Sequence, residues 1–247
     1  MRCHIRPEDW TDGDLLLGAE ESHHLLRVLR IQPGQPVDVF DGAGRSGTAQ
    51  FVAAQGDRAL LRLIEHTPKN LSSGPKIVLL QALPREQKMD WIIQKAVELG
   101  IHAIQPVLAR NCVVQIKEDR AADKKARWEK IALNAAKQSG APLLPEIFPA
   151  RSLEQALATG SSCDLMLLGA LTGQTRPLRD VLRKPREKPL ASVAVLIGPE
   201  GDFTPAELDL AIRAGALPVS FGATVLRTET AALYALSVLR YELGAAI

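Results

Sequence analysis

The sequence contains few cysteines and no paired cysteine motif. Its 247 residues include three, Cys3, Cys112 and Cys163. They are odd in number and far apart, and none forms a CxxC spacing, which disfavours both a disulfide framework and a zinc site. We therefore expect a protein of the reducing cytoplasm that holds no metal.

Long apolar runs are also missing. No stretch approaches the roughly 20 residues that a membrane-spanning helix needs. The N-terminal segment MRCHIRPEDW lacks the apolar core of a signal peptide. We therefore expect no membrane partner. The length allows one large domain or two modest ones, and a hydrophobic fraction of 46% is ample for a packed core.

A large excess of charge of one sign is absent as well. The formal net charge is +2, whereas a strongly basic nucleic-acid binder carries much more. Residues 1–70 hold 8 Lys/Arg against 10 Asp/Glu, residues 71–150 hold 12 against 8, and residues 151–247 hold 10 against 10. The positive excess in the middle of the chain suits a local surface that faces phosphates.

The pattern of elements divides the chain in two. Residues 1–66 contain short strand-like runs, VDVF (37–40), TAQFVAA (48–54) and ALLRLIE (59–65), separated by turns with Gly or Asp, which predicts a small antiparallel β-barrel. The polar segment 67–76 is the predicted domain boundary. The domains are therefore expected at 1–70 and 71–247.

From Lys76 onward, strands alternate with helices. The predicted strands are KIVLLQAL (76–83), HAIQPVLA (102–109), DLMLLGA (164–170), SVAVLIG (192–198) and PVSFG (218–222). One predicted helix places Met89, Ile92, Ile93, Ala96 and Val97 on one face and closes at Gly100, and a longer one ends at Gly140. This alternation predicts an α/β domain with a mostly parallel sheet.

A glycine motif in the first domain is a turn and not a nucleotide site. Residues 42–47 match GxGxxG after the strand VDVF. A dinucleotide site needs a helix N-terminus after the glycines. The chain continues instead as the alternating TAQFVAA, so we expect a hairpin turn.

The segment IGPEGDFTPAEL (197–208) predicts a ligand-facing loop. A buried strand ends at Gly198, and the next helix has Thr204 as N-cap, Pro205 at its first position and Glu207 completing a capping box. Open α/β sheets bind ligands at the carboxyl ends of their strands. The glycines allow close backbone approach and the Glu200 carboxylate suits a cationic partner, although a plain turn has the same composition.

The segment SFGATVLRTETAALYALSVL (220–239) places charged residues at the start of an apolar helix. Glu229 in the first turn suits the helix dipole, but Arg227 does not. Arg227 is therefore either a ligand-facing cation or the partner in an intramolecular salt bridge.

The motifs and their order along the chain resemble those of the SPOUT (α/β-knot) RNA methyltransferases. The resemblance is to the branch of the 16S ribosomal RNA uridine-N3 methyltransferases (ribosomal RNA small subunit methyltransferase E). The similarity runs over nearly the whole chain and includes both domains. Its residues are GPEG (198–201), LRTETA (226–231), KMDWIIQKAVELG (88–100), Pro106, Arg110, QSG (138–140), PEI (145–147) and HLLRVLRIQPGQPVDVFDG (24–42).

The resemblance implies a PUA-like RNA-binding first domain and a trefoil-knot second domain that binds S-adenosyl-L-methionine between three loops. It also implies a homodimer with the last helix in the interface, where Leu233, Leu236, Leu239 and Leu243 suit that role. The implied cofactor-binding residues are Leu168, Gly169, Leu171, Ile197, Gly198, Pro199, Glu200, Gly201, Phe221, Gly222, Val225, Leu226, Arg227 and Thr230.

The implied reaction is methylation of N3 of a specific uridine in 16S ribosomal RNA or the small ribosomal subunit. Arg227 would stabilise charge on the uracil, and Glu229 would either orient Arg227 or accept the N3 proton. The resemblance further implies RNA contacts from Arg27, Arg30, Lys88 and Arg110. Because the sulfonium is already a strong methyl donor, no metal is needed.

The chain departs from the family pattern at four positions. Asp202 stands where the family usually has a second glycine, Lys137 where it has Glu, Ala141 where it has Arg, and Ala109 where it commonly has an acidic residue. Lys137 and Ala141 put the RNA-facing surface, and so the target nucleotide, in question. The alternatives are a SPOUT enzyme with another target such as a ribose 2′-hydroxyl, and a non-catalytic RNA-binding protein. An α/β enzyme on a nucleotide or phosphate substrate would need a phosphate-binding glycine loop that opens a helix, and the sequence has none.

Overall fold

The computed structural model describes residues 1–67, 74–85, 88–114, 116, 118–171 and 173–244, without the side chains of residues 118 and 119. The chain divides into two units. The first comprises Met1–Leu71 and Leu133–Leu144, and the second Ser72–Ala132 and Pro145–Ile247. The predicted domain boundary at residue 70 lies outside the described residues.

The first unit contains a five-stranded sheet in the order β1-β3-β4-β5-β2. Alternate side chains of its long strands are buried, the pattern of a sheet with one covered face. All its pairs are antiparallel except β1 with β3, which is parallel. The strands are β1 (Arg2–His4), β2 (Asp14–Leu16), β3 (Pro36–Phe40), β4 (Ser46–Gln55) and β5 (Arg58–Thr67).

Short helical turns cover this sheet. A 3-10 turn spans Pro7–Asp9, and the helix α1 (Ala19–His23) continues directly into a π-helical turn at His24–Val28. Leu25 of that turn is fully buried in a core with strand residues such as Val37 and Leu61. The turns therefore complete the core that the sheet alone leaves open.

The predicted turn at residues 42–47 is confirmed. The buried Asp41 carboxylate accepts hydrogen bonds from the backbone N–H groups of Ala43 and Arg45. The strand β4 then begins at Ser46, and no helix follows the glycines.

The second unit contains a larger sheet, in which the described strand pairs are all parallel. Its order is β11-β13-β10-β12-β6-β7-β8, with β9 also on β7. The central strands are buried almost throughout, as expected for a sheet covered on both faces. The strands are β6 (Lys76–Ala82), β7 (Ala103–Leu108), β8 (Glu146–Ile147), β9 (Arg151–Ser152), β10 (Leu165–Gly169), β11 (Arg176–Pro177), β12 (Ser192–Ile197) and β13 (Leu217–Ser220).

Three helices of the second half begin or end at the predicted signals. Gly100 and Gly140 end two of them at positive φ, and Thr204, Pro205 and Glu207 form the predicted capping box. The helices are α2 (Lys88–Glu98), α3 (Glu118–Ser139), α4 (Leu153–Ser161), α5 (Leu178–Leu182), α6 (Pro205–Arg213) and α7 (Thr228–Leu243).

The predicted fold class is confirmed: a small N-terminal β unit precedes a parallel α/β unit. The first sheet differs from the prediction in its parallel edge pair, because the three-residue β1 is too short to show a sequence pattern. Strand order does not define a knot, so the knot stays a prediction.

Candidate functional site

A cavity of about 370 Å³ lies at the carboxyl ends of three neighbouring parallel strands. The strands β10, β12 and β13 end at Gly169, Ile197 and Ser220. The loops that follow them, and the start of α7, line the cavity. This is the edge at which open α/β sheets bind ligands.

Most of the predicted cofactor-binding residues line this cavity. They come from three loops that are distant in sequence, so the fold brings together what the sequence keeps apart. The residues are Gly169, Leu171, Ile197, Gly198, Pro199, Glu200, Phe221, Gly222, Val225, Leu226 and Arg227.

Three predicted cofactor-binding residues do not line it. Leu168 is fully buried in the sheet core, and Thr230 is exposed on α7. A Cβ on Gly201 would lie 3.2 Å from the Cβ of Asn111 and not in the cavity. Asn111 also donates hydrogen bonds to the carbonyls of Gly201 and Asp202. Gly201 therefore permits the packing of its loop against Asn111.

Eight residues of the lining were not among the individually named cofactor-binding residues, although four of them lie in the loops that the resemblance implies. Ser220 carried a usable signal, since it is a small hydroxyl residue at the end of a strand and two residues before a glycine. The eight are Ala170, Thr175, Asp202, Ser220, Ala223, Thr224, Thr228 and Ala231.

The buried hydroxyl of Thr228 connects three elements around the cavity. It donates a 2.6 Å hydrogen bond to the carbonyl of Gly198 and accepts one of 2.9 Å from Nε2 of Gln81. Thr228 opens α7, Gln81 belongs to β6, and Gly198 follows β12. The start of α7 is thereby fixed to two strand ends, which holds the loop that carries Arg227.

Asp202 occupies a backbone position that favours glycine. Its φ is +56°, in the left-handed region, where Asp is better tolerated than most residues. Its carboxylate accepts a hydrogen bond from the N–H of Phe203. The departure from the family glycine therefore keeps the shape of the loop and adds a carboxylate to the cavity wall.

Lys88 forms ion pairs with two carboxylates. Its Nζ lies 3.1 Å from Oε1 of Glu200 and 3.2 Å from Oε2 of Glu229. Only the contact with Glu200 has hydrogen-bond geometry, so the buried Oε2 of Glu229 accepts no hydrogen bond from a described residue. The hydrogen bond to Glu200 raises the pKa of Lys88.

The Glu200 carboxylate is held in its charged form. Burial raises its pKa, but hydrogen bonds from the backbone N–H of Arg85 and from Lys88 outweigh burial and leave the pKa below its usual value. Glu200 was predicted to suit a cationic ligand. Here Lys88 is the cation that it binds.

Arg227 differs from Lys88 in its surroundings. It is exposed, lines the cavity and is the N-cap residue of α7 without a side-chain capping bond. Within the described part of the chain no ion pair or hydrogen bond of its side chain is found, and the salt bridge to Glu229 that would give it a structural role is not formed. Glu229 is 14% exposed and lies outside the cavity lining.

The predicted RNA-contacting residues are divided between the two units. Arg27 and Arg30 are exposed at and after the π-helical turn of the first unit, and Arg30 has a φ of +50°. Arg110 is exposed, and its backbone N–H donates to Glu207. Lys88 is engaged with Glu200 and Glu229, as described above.

Two further observations concern the predicted homodimer and one of the departures from the family pattern. Leu236 and Leu239 of α7 are buried within this chain, so they are not available to a partner subunit. The family departure at Lys137 has a structural partner, because its Nζ lies 2.7 Å from a carboxylate oxygen of Glu21.

The described residues contain no helix that could cross a membrane. Among the same residues, no three His, Cys, Asp or Glu side chains come together as a possible metal site.

Comparison with known proteins finds matching family models for both parts of the chain. Residues 72–240 match the family model of an RNA methyltransferase domain, and residues 17–64 match that of an RNA methyltransferase PUA domain. The chain is 30% identical over 227 residues to ribosomal RNA small subunit methyltransferase E of Bacillus subtilis, covering 90% of this chain and 88% of that protein.

Two solved structures are similar over almost their whole length. One is ribosomal RNA small subunit methyltransferase E from Neisseria gonorrhoeae bound to S-adenosyl methionine, at 32% identity and a TM-score of 0.87, covering 100% of this chain and 99% of that one. The other is a methyltransferase from Legionella pneumophila with bound S-adenosylmethionine, at 32% identity and a TM-score of 0.87, covering 99% and 98%.

Proposed function

Because this chain belongs to the ribosomal RNA small subunit methyltransferase E family, we propose that it transfers a methyl group from S-adenosyl-L-methionine to N3 of a uridine in 16S ribosomal RNA. The cofactor-bound relatives and the small-subunit substrate in their names support the cofactor and the class of RNA. The atom N3 rests on the resemblance and on the chemistry of the site.

The cavity fits the cofactor by size and by chemistry. Its volume of about 370 Å³ lies in the ordinary range of small-molecule sites. The glycines at 169, 198 and 222 have no side chains, so the adenine of the cofactor would be able to approach the loop backbone closely. Leu171, Ile197 and Leu226 supply apolar walls for its ring. Bound there, the cofactor would supply an electrophilic methyl group.

The chemical difficulty lies with the uracil. N3 carries a proton at neutral pH, and its loss spreads negative charge over O2 and O4. A fixed cation beside such a charge in a partly dry site lowers the activation free energy by several kcal/mol. N3 is also on the pairing edge of the base, so the target uridine must be unpaired or flipped out of a helix.

Arg227 is the cation that we assign to this charge. It is the observation that carries the proposal: an arginine lines the cavity without a carboxylate partner among the described residues, at a helix start that repels cations. Lys88, by contrast, is neutralised by Glu200 and Glu229. Glu229 was predicted either to orient Arg227 or to accept the N3 proton. Among the described residues it neither contacts Arg227 nor lines the cavity, so the proton acceptor is left unassigned.

The remaining parts of the proposal follow from the same family. The first domain (1–70) would hold RNA through residues such as Arg27 and Arg30, and the second (71–247) would carry the catalytic site. Arg110 would contact RNA at the surface, and Lys88 would do so only if it leaves its two carboxylates. The enzyme would act in the cytoplasm as a knotted homodimer, whose mass light scattering can measure.

The test is single-turnover methyl transfer to 16S ribosomal RNA, with the product base identified by mass spectrometry. Arg227→Ala should lower the rate by on the order of a hundredfold. It should leave cofactor affinity and melting temperature nearly unchanged, because the side chain is exposed. Arg227→Lys should recover only part of the rate, since an ammonium lacks the planar fork of a guanidinium.

Arg213→Ala is the matched control, because Arg213 is exposed on α6 and does not line the cavity. An Arg227→Ala protein that melts early but transfers methyl at the wild-type rate would refute the assignment. A product other than N3-methyluridine would refute the proposed target atom.

A further inference from the structure

A strongly basic segment lies between the cavity loops and has no part in the site described above. Residues 176–188 contain six Lys/Arg against two Asp/Glu, although residues 151–247 as a whole are neutral. The segment comprises β11, α5 and the turn that follows. This concentration of charge indicates a surface for an anionic partner.

A second cavity, which we call the basic groove, lies against this segment. Its volume is about 460 Å³. Arg176, Lys184 and Arg186 supply its cations, and Asp180 supplies its one carboxylate. The rest of the lining is apolar, and its Leu217 is 39% exposed. These apolar residues are Leu165, Pro177, Val181, Pro185 and Leu217.

The cations of the groove are left without carboxylate partners. Arg176 and Lys184 are exposed, and neither forms an ion pair with a described residue. The guanidinium of Arg186 donates to the carbonyls of Val181 and Leu182, which fixes its position without neutralising it. Three cations against Asp180 leave the groove with a net positive charge.

The groove and the cofactor cavity both adjoin the edge strand β11 but lie toward opposite ends of the sheet strands, since the groove residues Leu165 and Leu217 begin β10 and β13. Thr175 lines the cofactor cavity, and the next residue, Arg176, lines the groove. The edge strand β11 pairs with β13 only at Val219 and Ser220. An RNA strand whose target base reaches the mouth of the first cavity would therefore have to follow β11 and β13 to bring a further nucleotide to the groove.

We propose that the basic groove binds a further nucleotide of the RNA strand that carries the methylated uridine, an inference that rests on the proposed function. Arg176 and Lys184 contact its phosphates, and the apolar floor at Leu217 packs against its base or sugar. Proteins bind single-stranded nucleic acid in a positively charged groove with a surface on which the bases stack, usually an aromatic one; here aliphatic and proline side chains supply that surface. The edge strand β11 has only two residues and includes Pro177, which has no N–H to donate, so the edge itself does not favour an added peptide strand.

The test is the double variant Arg176→Gln/Lys184→Gln. Both side chains are exposed, so we expect an unchanged melting temperature. Binding of a 16S ribosomal RNA fragment, measured by fluorescence anisotropy without cofactor, should weaken about tenfold at low salt, with a salt-dependence slope shallower by about 1.4 for two lost contacts. KM for the RNA should rise by a similar factor, while kcat and S-adenosylmethionine affinity stay the same.

Lys188→Gln provides the control within the same segment, because Lys188 is exposed but does not line the groove. A loss equal to that of the double variant would mean a diffuse charge effect and would overturn the groove. So would wild-type RNA affinity in the double variant. Leu217→Glu, which puts a carboxylate on the floor, should weaken RNA binding further. If the wild-type protein transfers no methyl to RNA, the proposed function fails, and the binding measurements still decide the groove.

Discussion

Replacing Thr228 by valine tests whether its hydroxyl holds the cavity together. Valine has nearly the same shape but can neither donate to Gly198 nor accept from Gln81. Thr228 is only 5% exposed, so water cannot easily replace the hydroxyl. Thr228→Ser is the matched variant, because it keeps the hydroxyl and loses only a methyl group.

The expected cost follows from the two groups left without a partner. The Gly198 carbonyl and one N–H of Gln81 lose their bonds, and each unsatisfied buried group costs about 1–3 kcal/mol. Gln81 retains its bond to the Ala82 carbonyl and Gly198 is only half-buried, so we take a total of about 3 kcal/mol. For a chain of this size that lowers Tm by roughly 6–12 °C. The serine variant should lose about 1 kcal/mol.

Calorimetry of the three proteins measures Tm, and titration with S-adenosylmethionine measures the affinity for the cofactor. Thr228→Val should also weaken cofactor binding, because Gly198 lines the cavity and loses its anchor. Thr228→Ser should bind nearly as tightly as the wild type. If valine and serine lower Tm equally and both bind the cofactor normally, the hydroxyl does not hold these elements and the reasoning is refuted.

Two further predictions concern the cavity and its ion pairs. Ala223→Trp should fill the cavity from an exposed loop position and weaken S-adenosylmethionine binding at least about tenfold without lowering Tm. The control Ala122→Trp, on the exposed face of α3, should change neither the affinity nor Tm. Equal cofactor affinities of the two variants in calorimetric titration would contradict this prediction. Lys88→Met should be less stable than the wild type near neutral pH. Because the folded-state pKa of Glu200 lies below its usual 4.5, the wild-type advantage should disappear as pH falls through that lowered value, and a difference in Tm that persists in stronger acid would disprove the pairing.

The helices and central strands could be predicted because their signals are local. The capping box at Thr204 and Glu207 and the glycine after α2 each act within a few residues of the chain, and both are formed as expected. The strands β8, β9 and β11 have two residues each, too few for any pattern to appear. Their pairing depends on the neighbouring strands of the sheet.

The position of the cavity at the carboxyl ends of the strands was predictable, but the contacts between its loops were not. Glycines after buried strands indicated which loops meet at the sheet edge. The resemblance then selected Gly201 as a ligand contact, whereas its missing side chain makes room for Asn111, 90 residues earlier in the chain. Thr228 was passed over for Thr230, because helix phase alone does not tell which hydroxyl faces the carbonyl of Gly198.

The two basic residues beside the site show why charge alone cannot assign a role. Lys88 and Arg227 both belong to family motifs, and from the sequence each is an equally good candidate to bind an anionic ligand. The fold separates them: Glu229, two residues after Arg227, pairs with Lys88 across 141 positions of sequence and leaves Arg227 without it. A lysine whose charge is already met by Glu200 and Glu229 gains little from a further anion. An arginine with no described carboxylate partner gains more, so Arg227 is the better candidate for charge that develops on the uracil.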